Sequence, residues 1–387
     1  IRNRKLPYIE DYLAGFHELG WNVKAFQSPA DLPDEKPTLI LDFNFHADGW
    51  KAAKERGVPY VAIVYDLWFV SRMDAQAFYW DKLGGVPAIG AYAFTCCPNQ
   101  VRTFQLLGVH AEYLPLGVNE KRFSIRPIET GLPRLDVTFI GSPLVDQPND
   151  GLVSARQAMI ANPCAQTEKI VEMVVEVIER QRLDLFGDWR LPDIASEVEA
   201  KHGLKFGESG KPWMRETIIL QIANHISSIQ RIEVVKALDP FKPTVFGPEE
   251  WKGHLPPHAT YGGYADYATE LPQVLQDSFI TVNVTKLPSW NALGPRVYEA
   301  LSCGCFVATN NNRAQELLFT DDAITSYTSL EELQSRVFNH LRFPRYLRNN
   351  VGRNCIEKNH TTARRADHVL KTLYREGALD TYLPKGV

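Results

Sequence analysis

Arg296 and Glu299 stand three residues apart in the run RVYEALS, a planar cation and a carboxylate on one short segment. An arginine fork suits phosphate oxygens, and a carboxylate accepts from two vicinal hydroxyls. A plain ion pair at helical spacing is the alternative. Gly141 and Ser142 follow directly on the β-rich run DVTFI. A glycine there lets backbone N–H groups come close to a phosphate. His46 and Asp66 each close an apolar run, TLILDF and YVAIVY respectively. A histidine can serve as a base near neutral pH, which makes His46 a candidate general base. Asp66 is a candidate base or an orienter of an acceptor hydroxyl. For both, a capping or loop role is the alternative.

The elements that must carry these residues alternate between strand and helix. In the N-terminal third, helices are predicted at Pro7–Leu19, Gly49–Arg56 and Asn99–Leu107. Strands are predicted at Asn22–Phe26, Thr38–Phe43, Tyr60–Tyr65, Phe94–Cys97 and Tyr113–Leu116. A further strand is expected ahead of the first helix, either absent or upstream of Ile1. This rhythm is that of a Rossmann-like parallel sheet, in which ligands meet the loops at the carboxyl ends of the strands. Leu116 to Leu132, rich in Pro and Gly, reads as a linker. Strand Asp136–Ile140 opens a second unit. Helical periodicity then dominates to about Ala237, an insertion that pads the sheet and shapes one side of a site. Thr244–Phe246, Ala259–Tyr264, Phe279–Val284 and Cys305–Ala308 read as strands. Asp266–Leu275, Arg296–Ser302 and Arg313–Leu318 read as helices, and a basic amphipathic helix closes the chain.

A length of 387 residues favours two domains. The net charge of −4 gives no reason to expect nucleic acid or an anionic membrane as partner. No apolar run reaches transmembrane length. The six cysteines form no metal-ligand spacing and suit a reducing cytoplasm. No Asp-x-Asp metal motif occurs, so no metal or other cofactor is expected to be required.

RVYEALSCGCFVATNN resembles the R-x-[FY]-E-A-L-[AS]-x-G signature of GT-B glycosyltransferases, most closely the spore-maturation CgeB-type branch. TVFGPEEW (244–251) and NHTTARRADHVL (359–370) fit the same branch. The resemblance implies an α/β chain of GT-B type, with two Rossmann-like domains facing across a cleft. It places an acceptor-side domain at 1–125 and a nucleotide-sugar domain at 134–360, with the helical insertion at about 150–238. The last helix, within 361–387, would cross back to the first domain. Gly141 and Ser142 resemble the donor-diphosphate loop. Gly247 and Pro248 lie where donor loops gather, and Tyr261, Gly262 and Gly263 where a base is met through backbone groups. Glu299 takes the place of the second of two glutamates separated by seven residues, the one that receives ribose hydroxyls. Asn291 stands where the first would be, which leaves the stereochemical outcome open.

The function implied is transfer of a sugar from a nucleoside-diphosphate sugar, UDP-linked by preference, to a protein or polysaccharide acceptor. A GT-B nucleotide-sugar epimerase and a catalytically silent glycan- or partner-binding protein are the alternatives.

Overall fold

The computed structural model describes residues 7–24, 34–65, 83, 87–125, 131–145, 166–187, 190–206, 214–289 and 291–380. Two parallel sheets organise the chain as two Rossmann-like domains. In the first, β1 (Ile40–Phe43), β2 (Tyr60–Val64), β3 (Ala91–Thr95) and β4 (His110–Tyr113) lie side by side in chain order. Helices α1 (Pro7–Glu18), α2 (Ala47–Arg56) and α3 (Pro98–Leu106) cover them. Gly57 ends α2 with φ 61°, a left-handed turn that glycine adopts without Cβ strain.

Several expected elements move. Asn22–Lys24 form no strand, and the rest of that predicted element lies outside the described residues. The fourth and fifth predicted strands each begin three residues nearer the N-terminus, at Ala91–Thr95 and His110–Tyr113. Ala91, Ala93 and Ala111 pack at 6% exposure or less against their neighbours, so burial overrides weak β propensity.

The second sheet has the order β10-β9-β8-β5-β6-β7, all parallel. Its strands are β5 (Leu135–Ile140), β6 (Thr244–Phe246), β7 (Thr260–Gly263), β8 (Ser278–Asn283), β9 (Phe306–Asn310) and β10 (Thr325–Tyr327). Counted within this domain, that is the doubly wound order 3-2-1-4-5-6. The direction of winding reverses between β5 and β8, where the crevice beyond the strand ends opens.

Between β5 and β6 run α4 (Thr167–Arg182), α5 (Leu191–His202) and α6 (Met214–Ala237). Their apolar faces make a core of their own, with Met173, Val177, Leu191, Val198 and Ile222 buried. The 24-residue α6 then continues into the sheet's core through Val234 and Val235. The helix thus belongs to both the insertion's core and the sheet's. Helices α7 (Leu271–Asp277), α8 (Pro295–Ser302), α9 (Arg313–Leu318), α10 (Leu330–Leu341) and α11 (Asn350–Asn359) complete this unit. The helix expected from Asp266 begins only at Leu271; Asp266 instead caps a turn, accepting from the amides of Ala268 and Thr269.

The segment after β4 is packed rather than a loose linker. Phe123 is fully buried, and its carbonyl accepts from the Ser302 hydroxyl. Val118 pairs with the chain at Thr361, so both crossings between the domains run together. The last described helix, α12 (Thr362–Arg375), then shares a core with α1 through Ala366, Val369, Leu370 and Leu373.

Candidate active site

Arg231 on α6 bridges the crevice at the β5–β8 switch point. Its Nη1 donates to the Ser142 carbonyl after β5 at 2.6 Å, and its Nη2 to the Val284 carbonyl after β8 at 3.4 Å. Its Nε is buried without a partner. Among the described residues no carboxylate pairs with it. Burial, with the nearby charge of Arg296, pulls this guanidinium down to about 10, so it stays charged at neutral pH. A half-buried cation held only by carbonyls, at the ligand crevice of a doubly wound sheet, is suited to an anion. The signal for it in the sequence is a lone arginine between Ile229 and Ile232 on an apolar face.

Arg296 and Glu299 are both on α8, and they contact each other. Arg296 Nη1 donates to Glu299 Oε2 at 2.6 Å. Glu299 is 2% exposed. Burial pushes its carboxyl above the usual range, Arg296 pulls it back, and Asp11 pushes it up further. The pair is therefore no surface bridge. Arg296 Nε is also buried and unpartnered. Asn291, just before α8, is 4% exposed, and its Oδ1 is a buried acceptor with no donor.

The glycine loops knit to one another. Gly141 N–H donates to the Phe246 carbonyl at 2.9 Å, and the Gly141 carbonyl accepts from Trp251 Nε1 at 2.6 Å. The Gly141 amide is therefore committed to the sheet. Ser142 Oγ accepts from the Leu144 amide, and its carbonyl is the one Arg231 holds. Gly247 N–H donates to the Gly263 carbonyl, and Tyr261 Oη donates to the Gly247 carbonyl at 2.9 Å. Pro248 caps the short 3-10 turn Glu249–Gly253 that carries Trp251. A Cβ on Gly262 would lie 2.5 Å from the Phe246 ring, so this glycine serves close packing. Gly263 alone of the pair has positive φ, 88°.

In the first domain His46 is the N-cap residue of α2, without a side-chain capping bond. Its Nδ1 lies 3.1 Å from Asp42 Oδ2, an ion-pair separation whose angle is too poor for a hydrogen bond. Tyr60 Oη donates to the same Asp42 oxygen and accepts from the His46 amide. Gly49 makes room for this group, since a Cβ there would lie 2.8 Å from Asp42 Oδ2. Asp42, a polar position in the buried strand β1, is thus the carboxylate beside His46. The other candidate, Asp66, lies outside the described residues.

Cys97, Cys303 and Cys305 are buried, and burial raises their thiols, Cys97 to about 11 and Cys305 to about 12. They are packing residues rather than nucleophiles. Among the described residues no three metal-ligating side chains gather.

Residues 229–371 match the family model described as glycosyl transferase-like. That segment holds Arg231, the glycine turn at 262–263, Asn291, Arg296 and Glu299. No curated protein matches the chain. Similar solved structures include Anabaena Alr3699/HepE in complex with UDP and glucose, at 10% identity and TM-score 0.45, covering 87% of this chain and 77% of that one. Sucrose-phosphate synthase from Thermosynechococcus elongatus is 11% identical with TM-score 0.45, over 95% and 77% of the two chains. A glycosyltransferase from Rickettsia africae is 12% identical with TM-score 0.42, over 98% and 84%.

Proposed function

We propose that this chain is a GT-B glycosyltransferase of the CgeB type. It moves a hexose from a nucleoside-diphosphate sugar on the second domain to a protein or surface-glycan acceptor met by the first. The carrying observation is Arg231 at the β5–β8 crevice, charged and, among the described residues, without a carboxylate partner. As the glycosidic bond to the diphosphate breaks, negative charge grows on the leaving phosphates and positive charge on the sugar. Fixed cations in a water-poor crevice stabilise that leaving group without reorganising. Glu299 accepts from the ribose hydroxyls, and Asn291 offers its unpartnered Oδ1 to a donor hydroxyl. With two arginines supplying the charge, the reaction is metal-independent. His46, with Asp42 beside its ring, receives the acceptor proton in this reading. A UDP-sugar is the preferred donor, and the cytoplasm, where such donors are made, the setting.

A thermal-shift screen with UDP-, GDP-, TDP- and CMP-sugars tests the reading, repeated on Glu299→Ala and Arg231→Gln. A ligand bound only by the folded chain raises the melting temperature by mass action. The expected result is a shift with one nucleotide class that both variants lose. A folded wild-type chain unmoved by every donor is instead a silent binding protein. Conversion of the donor sugar without acceptor would identify an epimerase.

A further inference from the structure

The end of α10 and the turn that leads into α11 present a surface unlike the rest of the described chain. Phe338, Phe343, Tyr346, Leu347 and Val351 are between 40% and 58% exposed. The other large apolar side chains exposed among the described residues stand apart from one another in sequence. From Leu333 to Ile356 there is no Asp or Glu, while Arg336, Arg342, Arg345, Arg348 and Arg353 all fall there. Three of these arginines take carboxylates from outside the stretch, Glu332, Asp136 and Glu357. Arg342 is exposed and, among the described residues, has no carboxylate partner. The surface therefore keeps a positive balance in a chain whose net charge is −4.

The exposure is built into the fold. The Asn349 amide donates to the Gly304 carbonyl at 3.0 Å, and its Nδ2 to the Ala323 carbonyl at 2.7 Å. The Phe343 ring meets Phe306 at 5.9 Å between centroids. The Arg345 guanidinium lies 4.6 Å from the centre of the Phe279 ring and bonds Asp136 at 2.7 Å. The turn is thus held in place with Tyr346 and Leu347 left outside. Asp136, Phe279 and Phe306 are at the amino ends of β5, β8 and β9. The patch therefore lies at the opposite edge of the second sheet from the crevice, about 20 Å away along the strands.

Exposed apolar side chains gathered on a folded chain mark a docking surface. Here arginines interleave with them, in the run Arg342-Phe343-Pro344-Arg345-Tyr346-Leu347-Arg348. That pattern suits the boundary of an anionic bilayer, where rings and Leu347 enter the headgroup layer and guanidiniums meet lipid phosphates. A second copy of the chain fits less well, because across a two-fold axis the same arginines would face each other. We infer that this surface docks the protein on an anionic lipid bilayer and leaves the crevice open to water. The inference uses no residue of the crevice, so it stands or falls apart from the donor reading.

The test is co-sedimentation of the full chain with vesicles of phosphatidylcholine alone, and of equal parts phosphatidylcholine and phosphatidylglycerol. Binding to the anionic vesicles is expected to be about tenfold tighter or more, and to weaken with added salt. Arg342→Glu reverses one exposed charge and lowers that affinity about tenfold. Tyr346→Ser combined with Leu347→Ser lowers it about tenfold as well. Leu183→Ser, at a position 90% exposed on the insertion, leaves it unchanged. Thermal melting checks that each variant keeps the wild-type fold. A wild-type chain that binds neither vesicle, or both equally, overturns the inference. So do patch variants that bind like wild type, or a loss in Leu183→Ser as large as theirs. Sedimentation velocity without lipid addresses the rival occupant: a dimer that the Tyr346 and Leu347 substitutions dissociate assigns the face to a second copy and overturns docking on lipid.

Discussion

Arg231 donates to two backbone carbonyls, of Ser142 and Val284, while Arg296 donates to the Glu299 carboxylate, so among the described residues only the second of these two arginines has a carboxylate partner. A buried cation is costly unless something negative joins it. Replacing Arg231 by Gln therefore weakens a nucleoside diphosphate by about 10- to 100-fold, the worth of about 1.5–3 kcal/mol for charge-assisted bonds. The free nucleoside, which lacks phosphates, binds equally to both proteins. Titration calorimetry of the two ligands, at two salt concentrations, separates these outcomes. An equal loss for nucleoside and diphosphate would show that Arg231 acts only by holding the loops at Ser142 and Val284.

The glycines at this edge differ in what they do. A Cβ on Gly247 would lie 2.3 Å from the Gly141 carbonyl and 2.9 Å from the Trp251 ring. Backbone must move to admit it, so Gly247→Ala destabilises the fold by roughly 1–3 kcal/mol. Gly253→Ala, a few residues on, meets nothing within 4 Å and leaves stability unchanged. Urea denaturation of the two variants is the comparison, and equal midpoints would contradict the packing argument.

Much of the architecture was legible because local signals agreed with the fold. Runs such as Tyr60–Val64 and Phe279–Val284 are dominated by apolar and β-branched residues, and Gly57 and Gly304 mark helix ends. The pair Arg296–Glu299 could be read from its spacing alone. Arg231 could not. Its partners at Ser142 and Val284 are 89 and 53 residues away, and only the strand order brings their carbonyls together. Phe123 was hidden for the same reason: Pro and Gly around it suggested a linker, while the pocket that buries it comes from the other domain. Asp42 looked like one position in an apolar strand until Tyr60 and His46 converged on it.

The return of α12 to the first domain depends on a close approach. A Cβ on Gly15 would fall 2.7 Å from the Thr362 backbone, where α1 and α12 meet. Gly15→Ala therefore pushes the last helix outward. Amide exchange along Thr362–Arg375 becomes faster, while exchange in β8 and β9 keeps its wild-type rate. Uniform acceleration across both domains would mean that the chain unfolds as one unit.

His360 sets an acid limit on stability. It is 4% exposed, packs against the Tyr298 and Phe319 rings, and receives Arg365 at Nδ1. Burial, reinforced by the Arg365 charge, lowers its pKa from 6.5 to about 3. Between those values the unfolded chain binds a proton that the folded chain refuses, so stability rises with pH there and is lost as pH falls. The loss amounts to about 1.4 kcal/mol for each pH unit below 6.5. His360→Gln removes this titration while keeping an acceptor for Arg365. The variant starts less stable at pH 7.5 through lost ring packing, but its melting temperature falls less between pH 7 and pH 5. Parallel melting curves for wild type and variant across that range would show that His360 is protonated in the folded chain.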